Sequence, residues 1–162
     1  MKKRRAIIAV VSVVVVLIVA FIFSNSLKSR EESAKDSELV AGVIGPMLEW
    51  IFGGKIENLG FFVRKLAHFT EFCMLGLASA GLVVAIGGGR EWWLCGYGLL
   101  FCLIIAVCDE FIQGFVDRGS AVGDVLIDFC GATFGFLIVV IATHFIELKK
   151  NKKLNIKEEK TL

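Results

Sequence analysis

Residues 6–23 read AIIAVVSVVVVLIVAFIF, an apolar run that contains no charged side chain. A helix needs about 20 such residues to cross a hydrocarbon core about 30 Å thick. Three further runs are also long and apolar, at residues 66–86, 92–107 and 125–146. Because 56% of the 162 residues are hydrophobic, more than in ordinary soluble domains, we predict an all-α membrane protein built as a bundle of four transmembrane helices.

The third run is the shortest of the four, and its end is the least well defined. It extends towards Phe115 if the helix carries Asp109 and Glu110 near its end. The first run follows the basic residues Lys2–Arg5, a pattern that a secretory signal peptide shares. The run is longer than a usual signal h-region and no A-x-A cleavage site follows it, so we interpret it as a retained membrane anchor.

The segment between the first two predicted spans, residues 24–63, divides into two parts. Residues 24–38 are rich in Ser, Lys and Glu, which is typical of a solvated linker. Residues 39–52 are apolar but are interrupted by Pro46 and are too short to cross the membrane. This second part is therefore predicted to be an interfacial or re-entrant segment.

Basic residues at the two ends of the chain predict its orientation in the membrane. Residues 1–5 and the tail at 147–162 are both rich in basic side chains, and such flanks are retained on the cytoplasmic side. An even number of spans agrees with two cytoplasmic termini. We therefore expect residues 24–63 and 113–123 to lie outside and the turn at 87–91 to lie inside.

Strongly polar side chains concentrate at the predicted outer ends of the second, third and fourth spans. A charge at the centre of a bilayer costs about 2.5 to 3.5 kcal/mol on insertion scales, so such residues usually mark a site, a pathway or an internal ion pair. In this topology three helix ends meet at one membrane depth. The set consists of Arg64, Lys65, His68, Glu71, Asp109, Glu110, Gln113, Arg118, Asp124 and Asp128.

Helical spacing predicts that these side chains share a pocket. Arg64, His68 and Glu71 are separated by four and three residues, which places them along one face of a helix. Asp109 and Gln113 are four residues apart and stack in the same way. The two faces would meet if the second and third spans pack at their outer ends.

The fourth span joins its acidic residues to a stripe of small residues. Asp124 and Asp128 share a helix face with Gly131 and Gly135. A G-x-x-x-G pair lets two helix backbones approach closely within a membrane. Both a packing seam inside the molecule and a homodimer contact are consistent with this motif, and either would aim the two acids at protein.

Several chemistries fit the polar set. Because the unperturbed pKa of histidine lies near neutrality, His68 could act as a general base supported by a neighbouring carboxylate, while Lys65 and Arg118 could hold an anion. Alternatively, His68 and the acids could bind a divalent cation. Non-catalytic binding of a lipid head group and a purely structural role for the charges also remain open.

Three stretches resemble the VanZ-like family. They are DEFIQGFVDRGSAVGDVLIDFCG at residues 109–131, RKLAHFTE at residues 64–71 and FSNS at residues 23–26. The resemblance extends from about residue 20 to about residue 146, with the core of spans two to four at 64–146. Two positions depart from the family pattern, since Asp128 replaces an expected Asn and Asp117 replaces an expected Gly.

This resemblance implies a small multi-pass protein of the bacterial cytoplasmic membrane that lowers sensitivity to glycopeptide antibiotics, teicoplanin more than vancomycin. It does not imply a particular reaction, so whether the protein is an enzyme stays open. A pocket that binds or acts on an amphipathic component of the cell envelope would agree with it. The residues singled out for that pocket are Lys65, His68, Glu71, Asp109, Glu110, Gln113, Arg118 and Asp124.

The expected partners are membrane lipid and either a lipid-linked envelope precursor or the acylated glycopeptide itself. Nucleic acid is not expected, because the basic termini flank membrane spans and lack interleaved aromatic residues. No organic cofactor is assigned. For Asp128 we expect either a protonated carboxyl or a pairing with Lys65 or Arg118.

Overall fold

The computed structural model describes residues 2–87, 92–116 and 118–159, and in these residues the secondary structure is entirely helical. The helices are α1 (Lys2–Ser26), α2 (Arg30–Phe52), α3 (Leu59–Gly87), α4 (Trp92–Phe115) and α5 (Val122–Glu159). Four of them, α1, α3, α4 and α5, are long and apolar enough to cross a membrane. The predicted all-α bundle with four spans is confirmed, and the third span does extend to Phe115.

The segment between the first two spans differs from the prediction in its first half. Residues 30–38 were expected to be a linker, but α2 already begins at Arg30. Ser29 and Glu32 form a reciprocal capping box, in which the Ser29 hydroxyl accepts a hydrogen bond from the Glu32 N–H and the Glu32 carboxylate accepts one from the Ser29 N–H. Two donors at the helix start are thereby satisfied, which explains why so polar a sequence is helical.

Helix α2 is apolar along its second half and lies against α3 with one face. Ala41 and Leu48 are buried together with Val63 of α3. The opposite face exposes Leu39, Val43, Met47 and Trp50, and the Trp50 side chain is 82% exposed. Pro46 lies within the helix. An apolar face without a protein neighbour agrees with the predicted interfacial segment.

Helix α3 is central, because it contacts each of the other four helices. Its Phe72, Leu75 and Ala80 side chains are completely buried. The same core includes the following residues of α1, α4 and α5: Val15, Ile22, Cys102, Ile105, Ala106 and Ala132. The core is thus assembled around α3.

Helices α3 and α5 approach each other closely through glycine. A Cβ atom added to Gly131 would overlap the carbonyl of Phe69, and one added to Gly135 would overlap the carbonyl of Cys73. From the other side, Gly76 lies directly against the Ala132 carbonyl. The G-x-x-x-G pair is therefore a packing seam within the molecule, as one of the two predicted alternatives proposed.

The two ends of the bundle differ in chemistry. At one end Arg4 of α1 donates hydrogen bonds to the carbonyl oxygens of Ala85 (3.0 Å from Nε) and Ile86, the last residues of α3. At the other end α1 and α4 terminate where α3 and α5 begin, next to the polar half of α2. This second end, called the polar end below, carries the candidate site.

Candidate functional site

The polar end collects side chains from all five helices and one loop. Asn25 and Ser26 belong to the last turn of α1, and Arg118 belongs to the loop between α4 and α5. All ten residues that the sequence grouped lie at this end. They are Arg64, Lys65, His68 and Glu71 near the start of α3, Asp109, Glu110 and Gln113 near the end of α4, Arg118, and Asp124 and Asp128 near the start of α5.

A histidine between two buried carboxylates forms the centre of the site. His68 Nδ1 lies 3.4 Å from Asp128 Oδ1 and 3.8 Å from Asp109 Oδ2. Both aspartates are completely buried, whereas 16% of the His68 side chain is exposed. Among the described residues, neither His68 Nδ1 nor either oxygen of Asp128 has a hydrogen-bond partner. We call these three residues the His–Asp cluster; their side chains retain unused capacity to bind a proton, a cation or a ligand.

Asp109 is held in place from two directions. The Ser26 hydroxyl of α1 donates a hydrogen bond to Asp109 Oδ1. Gln113, one turn later on α4, donates from Nε2 to Asp109 Oδ2 at 2.7 Å. Ser26 and Gln113 are both buried. These bonds fix the orientation of the carboxylate towards His68 and link α1 to α4.

Asp128 does not have the partners that the sequence suggested. Lys65 forms its ion pair with Asp124, at 2.5 Å, and Arg118 donates to the Asn25 carbonyl at 3.0 Å. The expected pairing of Asp128 with Lys65 or Arg118 is therefore wrong. The glycine seam explains why Asp128 has a different neighbour. Close contact of Gly131 and Gly135 with α3 places Asp128, on the same face of α5, opposite His68. Asp124 lies one turn nearer the start of α5 and therefore reaches Lys65.

Glu71 and Arg118 are both tied to the end of α1. Asn25 donates from Nδ2 to Glu71 Oε1 at 2.8 Å, and its carbonyl accepts the bond from Arg118. Arg30 of α2 in turn donates to the Arg118 carbonyl at 3.0 Å. The last turn of α1 is thus a junction between α3, α2 and the loop after α4.

Ser26 and Asn25 were not among the predicted site residues. Their signal in the sequence was the FSNS run at 23–26, which places three polar side chains after an apolar span, at the same predicted membrane depth as the acids. Glu110 was predicted, and the structure places it in a different environment. Its Oε2 accepts the Ala121 N–H at 3.0 Å, so this carboxylate holds the loop that precedes α5.

A polar cavity of about 150 Å³ opens beside the His–Asp cluster. His68 and Glu71 line it together with Arg64 and Arg118, and α2 contributes Ser33 and Ser37 at its side, with Asp36. Burial lowers the pKa of the Arg118 guanidinium, but arginine remains protonated throughout the physiological range. The cavity therefore presents the two guanidinium groups next to an imidazole and the Glu71 carboxylate, while Lys28 and Asp36 at its side form an ion pair at 2.8 Å.

The cavity wall includes only part of the predicted pocket. Three of the eight residues singled out for the pocket line this cavity, namely His68, Glu71 and Arg118. Asp109, Glu110 and Gln113 are buried between helices, because that face of α4 turns into the interior of the bundle. Asp124 stays at the side in its ion pair with Lys65.

A second, apolar cavity of about 320 Å³ lies between α1 and α3. Its lining is Val14, Leu17, Ile18, Phe21 and Met74, and at one end Glu71. Glu71 thus borders both the polar and the apolar cavity. The arrangement suits a molecule with a polar head and an apolar chain.

Metal ligation is geometrically available in the His–Asp cluster. His68, Asp109 and Asp128 each offer one ligand atom, and these atoms lie within 4.8 Å of one another. One imidazole nitrogen and two carboxylate oxygens form a donor set that divalent cations bind.

Comparison with known proteins gives one match. The family model described as VanZ/LLP1 matches residues 11–143, which is most of the chain and includes every residue of the site described above. No curated protein and no solved structure shows significant similarity to the chain.

Proposed function

This chain belongs to the VanZ/LLP1 family, and on that premise we propose that its polar end faces the outside of the cell and handles an amphipathic component of the cell envelope. The expected cellular result is a lower sensitivity to teicoplanin, with a smaller effect on vancomycin. A lipid-linked envelope precursor or the acylated antibiotic itself would meet the site from the outer leaflet of the bacterial cytoplasmic membrane.

The observation that carries this proposal is the buried His–Asp cluster beside the polar cavity. Buried carboxylates in a membrane bundle are costly unless they are paired, and they usually mark functional sites. Here Asp128 and His68 Nδ1 have no hydrogen-bond partner among the described residues. A structural role alone would favour satisfied pairs, such as the one between Lys65 and Asp124.

The cavities support an amphipathic ligand. Arg64 and Arg118 can hold a phosphate or carboxylate head group in the polar cavity through charge-assisted hydrogen bonds. An acyl chain would follow the apolar cavity between α1 and α3, which begins at Glu71. Teicoplanin carries an acyl chain and vancomycin does not, so a two-part site accounts for the expected difference between the antibiotics.

Two chemical roles are compatible with this site. In the catalytic role, His68 accepts a proton from a water or hydroxyl group in the cavity, and Asp109 and Asp128 stabilise the imidazolium that forms. In the binding role, the same charges retain the head group without a reaction. The mass of a ligand recovered from the purified protein distinguishes the two roles, since binding alone returns it unchanged.

The test is antibiotic susceptibility of a sensitive host that expresses the chain at matched membrane abundance. The chain contains two histidines, which provides a matched control. His68→Ala should lose the protection against teicoplanin, whereas His144→Ala, at an exposed position far along α5, should keep it. Asp124→Asn tests the pair with Lys65 in the same assay and should weaken protection.

Two results would contradict the proposal. One is equal protection by the wild type and His68→Ala, which would remove the site from the function. The other is a wild type that changes the susceptibility to neither antibiotic.

A further inference from the structure

We propose that His68, Asp109 and Asp128 form a binding site for one divalent transition-metal cation, enclosed between α3, α4 and α5. This site lies in the same pocket as the proposed function, and a bound cation would specify the class of reaction that the pocket supports. Cation binding itself does not depend on a role in antibiotic sensitivity. Zn²⁺ and Mn²⁺ are the cations that the donor set favours.

The distances between the donor atoms match tetrahedral coordination. Zinc binds imidazole nitrogen and carboxylate oxygen at about 2.0 to 2.2 Å, so two donors of a tetrahedron lie about 3.4 Å apart. His68 Nδ1 is 3.4 Å from Asp128 Oδ1 and 3.8 Å from Asp109 Oδ2. One ligand atom from each of the three residues lies within 4.8 Å of the ligand atoms of the other two.

Burial without hydrogen bonds is the second observation. Asp128 is completely buried, and both of its oxygens lack a hydrogen-bond partner among the described residues. His68 Nδ1, which faces it, also lacks one. A buried carboxylate without a hydrogen bond is unfavourable by several kcal/mol in general. His68 Nδ1 lies 3.4 Å from Asp128 Oδ1 without forming a hydrogen bond, and the other neighbouring bases are engaged elsewhere, Lys65 by Asp124 and Arg118 by the Asn25 carbonyl. A cation would supply the missing partner for both groups.

The surroundings of Asp109 resemble the outer shell of a metal site. Protein ligands to metals are commonly oriented by further hydrogen bonds, whose loss lowers metal affinity by about 10- to 100-fold. Ser26 and Gln113 donate to the two oxygens of Asp109. Each oxygen of this carboxylate keeps a further lone pair for a metal.

The donor types narrow the choice of cation. Imidazole suits Zn, Cu, Fe and Ni, while carboxylate suits Mg, Ca and Mn. A site with one nitrogen and two oxygens lies between these groups, which leaves Zn²⁺ and Mn²⁺ as the preferred candidates. Three protein ligands leave a coordination position open, as in catalytic sites.

The consequence for chemistry is a metal-assisted hydrolysis. In this arrangement His68 would serve as a ligand and not as the general base, and the cation would supply an activated water as the nucleophile. Arg64 and Arg118 in the adjacent cavity would hold an anionic group of the substrate, such as a phosphate ester of an amphipathic lipid. Hydrolysis would form a bond from the water oxygen to phosphorus and break the P–O bond of the ester; the alcohol would leave with one proton of the water, and the phosphate would keep the hydroxyl group.

The experiment measures cation binding by the full-length protein in detergent micelles, purified with a tag that contains no histidine. After chelation, the protein is dialysed against Zn²⁺ alone or Mn²⁺ alone, and the bound metal is determined by mass spectrometry. We expect one equivalent per chain for one of the two cations. Asp128→Asn and Asp109→Asn should weaken that affinity by more than the roughly 100-fold that the loss of an outer-shell partner causes.

Matched controls separate ligation from folding. Asp124→Asn removes a carboxylate of the same helix outside the cluster, and His144→Ala removes the other histidine; both should still bind one equivalent. The cation should also raise the unfolding temperature of the wild type and not that of Asp128→Asn, since a ligand stabilises only the state that binds it. A wild type that binds neither cation, or equal binding by the wild type and Asp128→Asn, would overturn the inference.

The outcomes of this experiment and of the susceptibility test are independent. A wild type without bound metal, combined with loss of protection in His68→Ala, would refute the metal site and leave the proposed function intact. One equivalent of metal in a wild type that gives no protection would refute the proposed function and leave the metal site.

Discussion

At the scale of single residues, the site depends on where Asp128 lies. Its carboxylate is completely buried, and Oδ1 lies 3.4 Å from His68 Nδ1. Asp124, one turn earlier, keeps partial exposure and pairs with Lys65. The two acids of α5 therefore have different roles, a satisfied ion pair at the side of the site and an unsatisfied group at its centre.

Gly135 decides how closely α5 approaches α3, and its replacement is the first prediction. In Gly135→Ala the new methyl group would overlap the Cys73 carbonyl and crowd backbone atoms of Leu77. Because backbone cannot yield as a flexible side chain does, we expect a loss of about 1 to 3 kcal/mol in the free energy of unfolding. Unfolding of the purified protein in micelles, followed by circular dichroism, measures the change.

Gly96 of α4 provides the matched control for this substitution. A Cβ atom at this position meets nothing within 4 Å, and alanine is the better helix former by about 1 kcal/mol. Gly96→Ala should therefore be neutral or slightly stabilising. Equal stabilities of the two variants would contradict the close contact at the α3–α5 seam.

The sequence was sufficient to predict most residues of the site, but not all of the contacts between their side chains. Spacing along α3 and α5 put His68, Glu71, Asp124 and Asp128 on helix faces, because local geometry alone determines those faces. The placement of Asp128 beside His68 depends on the position of α5 along the axis of α3, which is set by tertiary contacts at Gly131 and its neighbours. Only a three-dimensional structure contains that information.

At the scale of elements, α2 shows how a polar segment becomes helical. Its first turns have the composition of a linker, and the S-x-x-E pattern at Ser29 and Glu32 was the local signal for a helix start. The buried contacts of Ser33, Ala41 and Leu48 then hold the helix in place. Composition averaged over residues 24–38 concealed both effects, which is why these residues were predicted to be a linker.

The capping box makes the start of α2 sensitive to acid, which is the second prediction. The hydrogen bonds that Ser29 donates to the Glu32 carboxylate lower the pKa of Glu32 in the folded protein, the backbone bond first. A depressed carboxyl pKa stabilises the fold above the unfolded pKa of 4.5, and this contribution is lost as the pH falls through the lower, folded pKa. We expect protection of the first amides of α2 against hydrogen exchange to decline over that range.

Two variants test this contribution. Ser29→Ala removes the cap at any pH and should lower the stability of the helix start by about 1 kcal/mol. Glu32→Gln retains a side-chain acceptor and does not titrate, so its protection factors should lose the acid-dependent decline. If Glu32→Gln and the wild type respond identically to acid, the capping carboxylate is not the cause.

At the scale of the whole molecule, the two ends of the bundle carry different polar groups. Arg4 binds the carbonyl oxygens at the end of α3 on one side, and the His–Asp cluster with its cavity occupies the opposite side. The basic residues Lys2–Arg5 begin α1 on the side of Arg4, and Lys149, Lys150, Lys152 and Lys153 lie towards the end of α5, away from the polar end. The positive-inside rule then assigns that side to the cytoplasm.

The final prediction is this orientation. Ser120, exposed in the loop after α4, lies at the polar end, and Lys149 is exposed towards the other end of α5. In intact cells a membrane-impermeant maleimide should label Ser120→Cys, and Lys149→Cys only after the membrane is permeabilised. The wild type gives the background from the native cysteines, which lie in the spans α3, α4 and α5. The reverse pattern would put the polar cavity in the cytoplasm, where it could not meet an antibiotic or a precursor in the outer leaflet, so orientation alone can refute the proposed function.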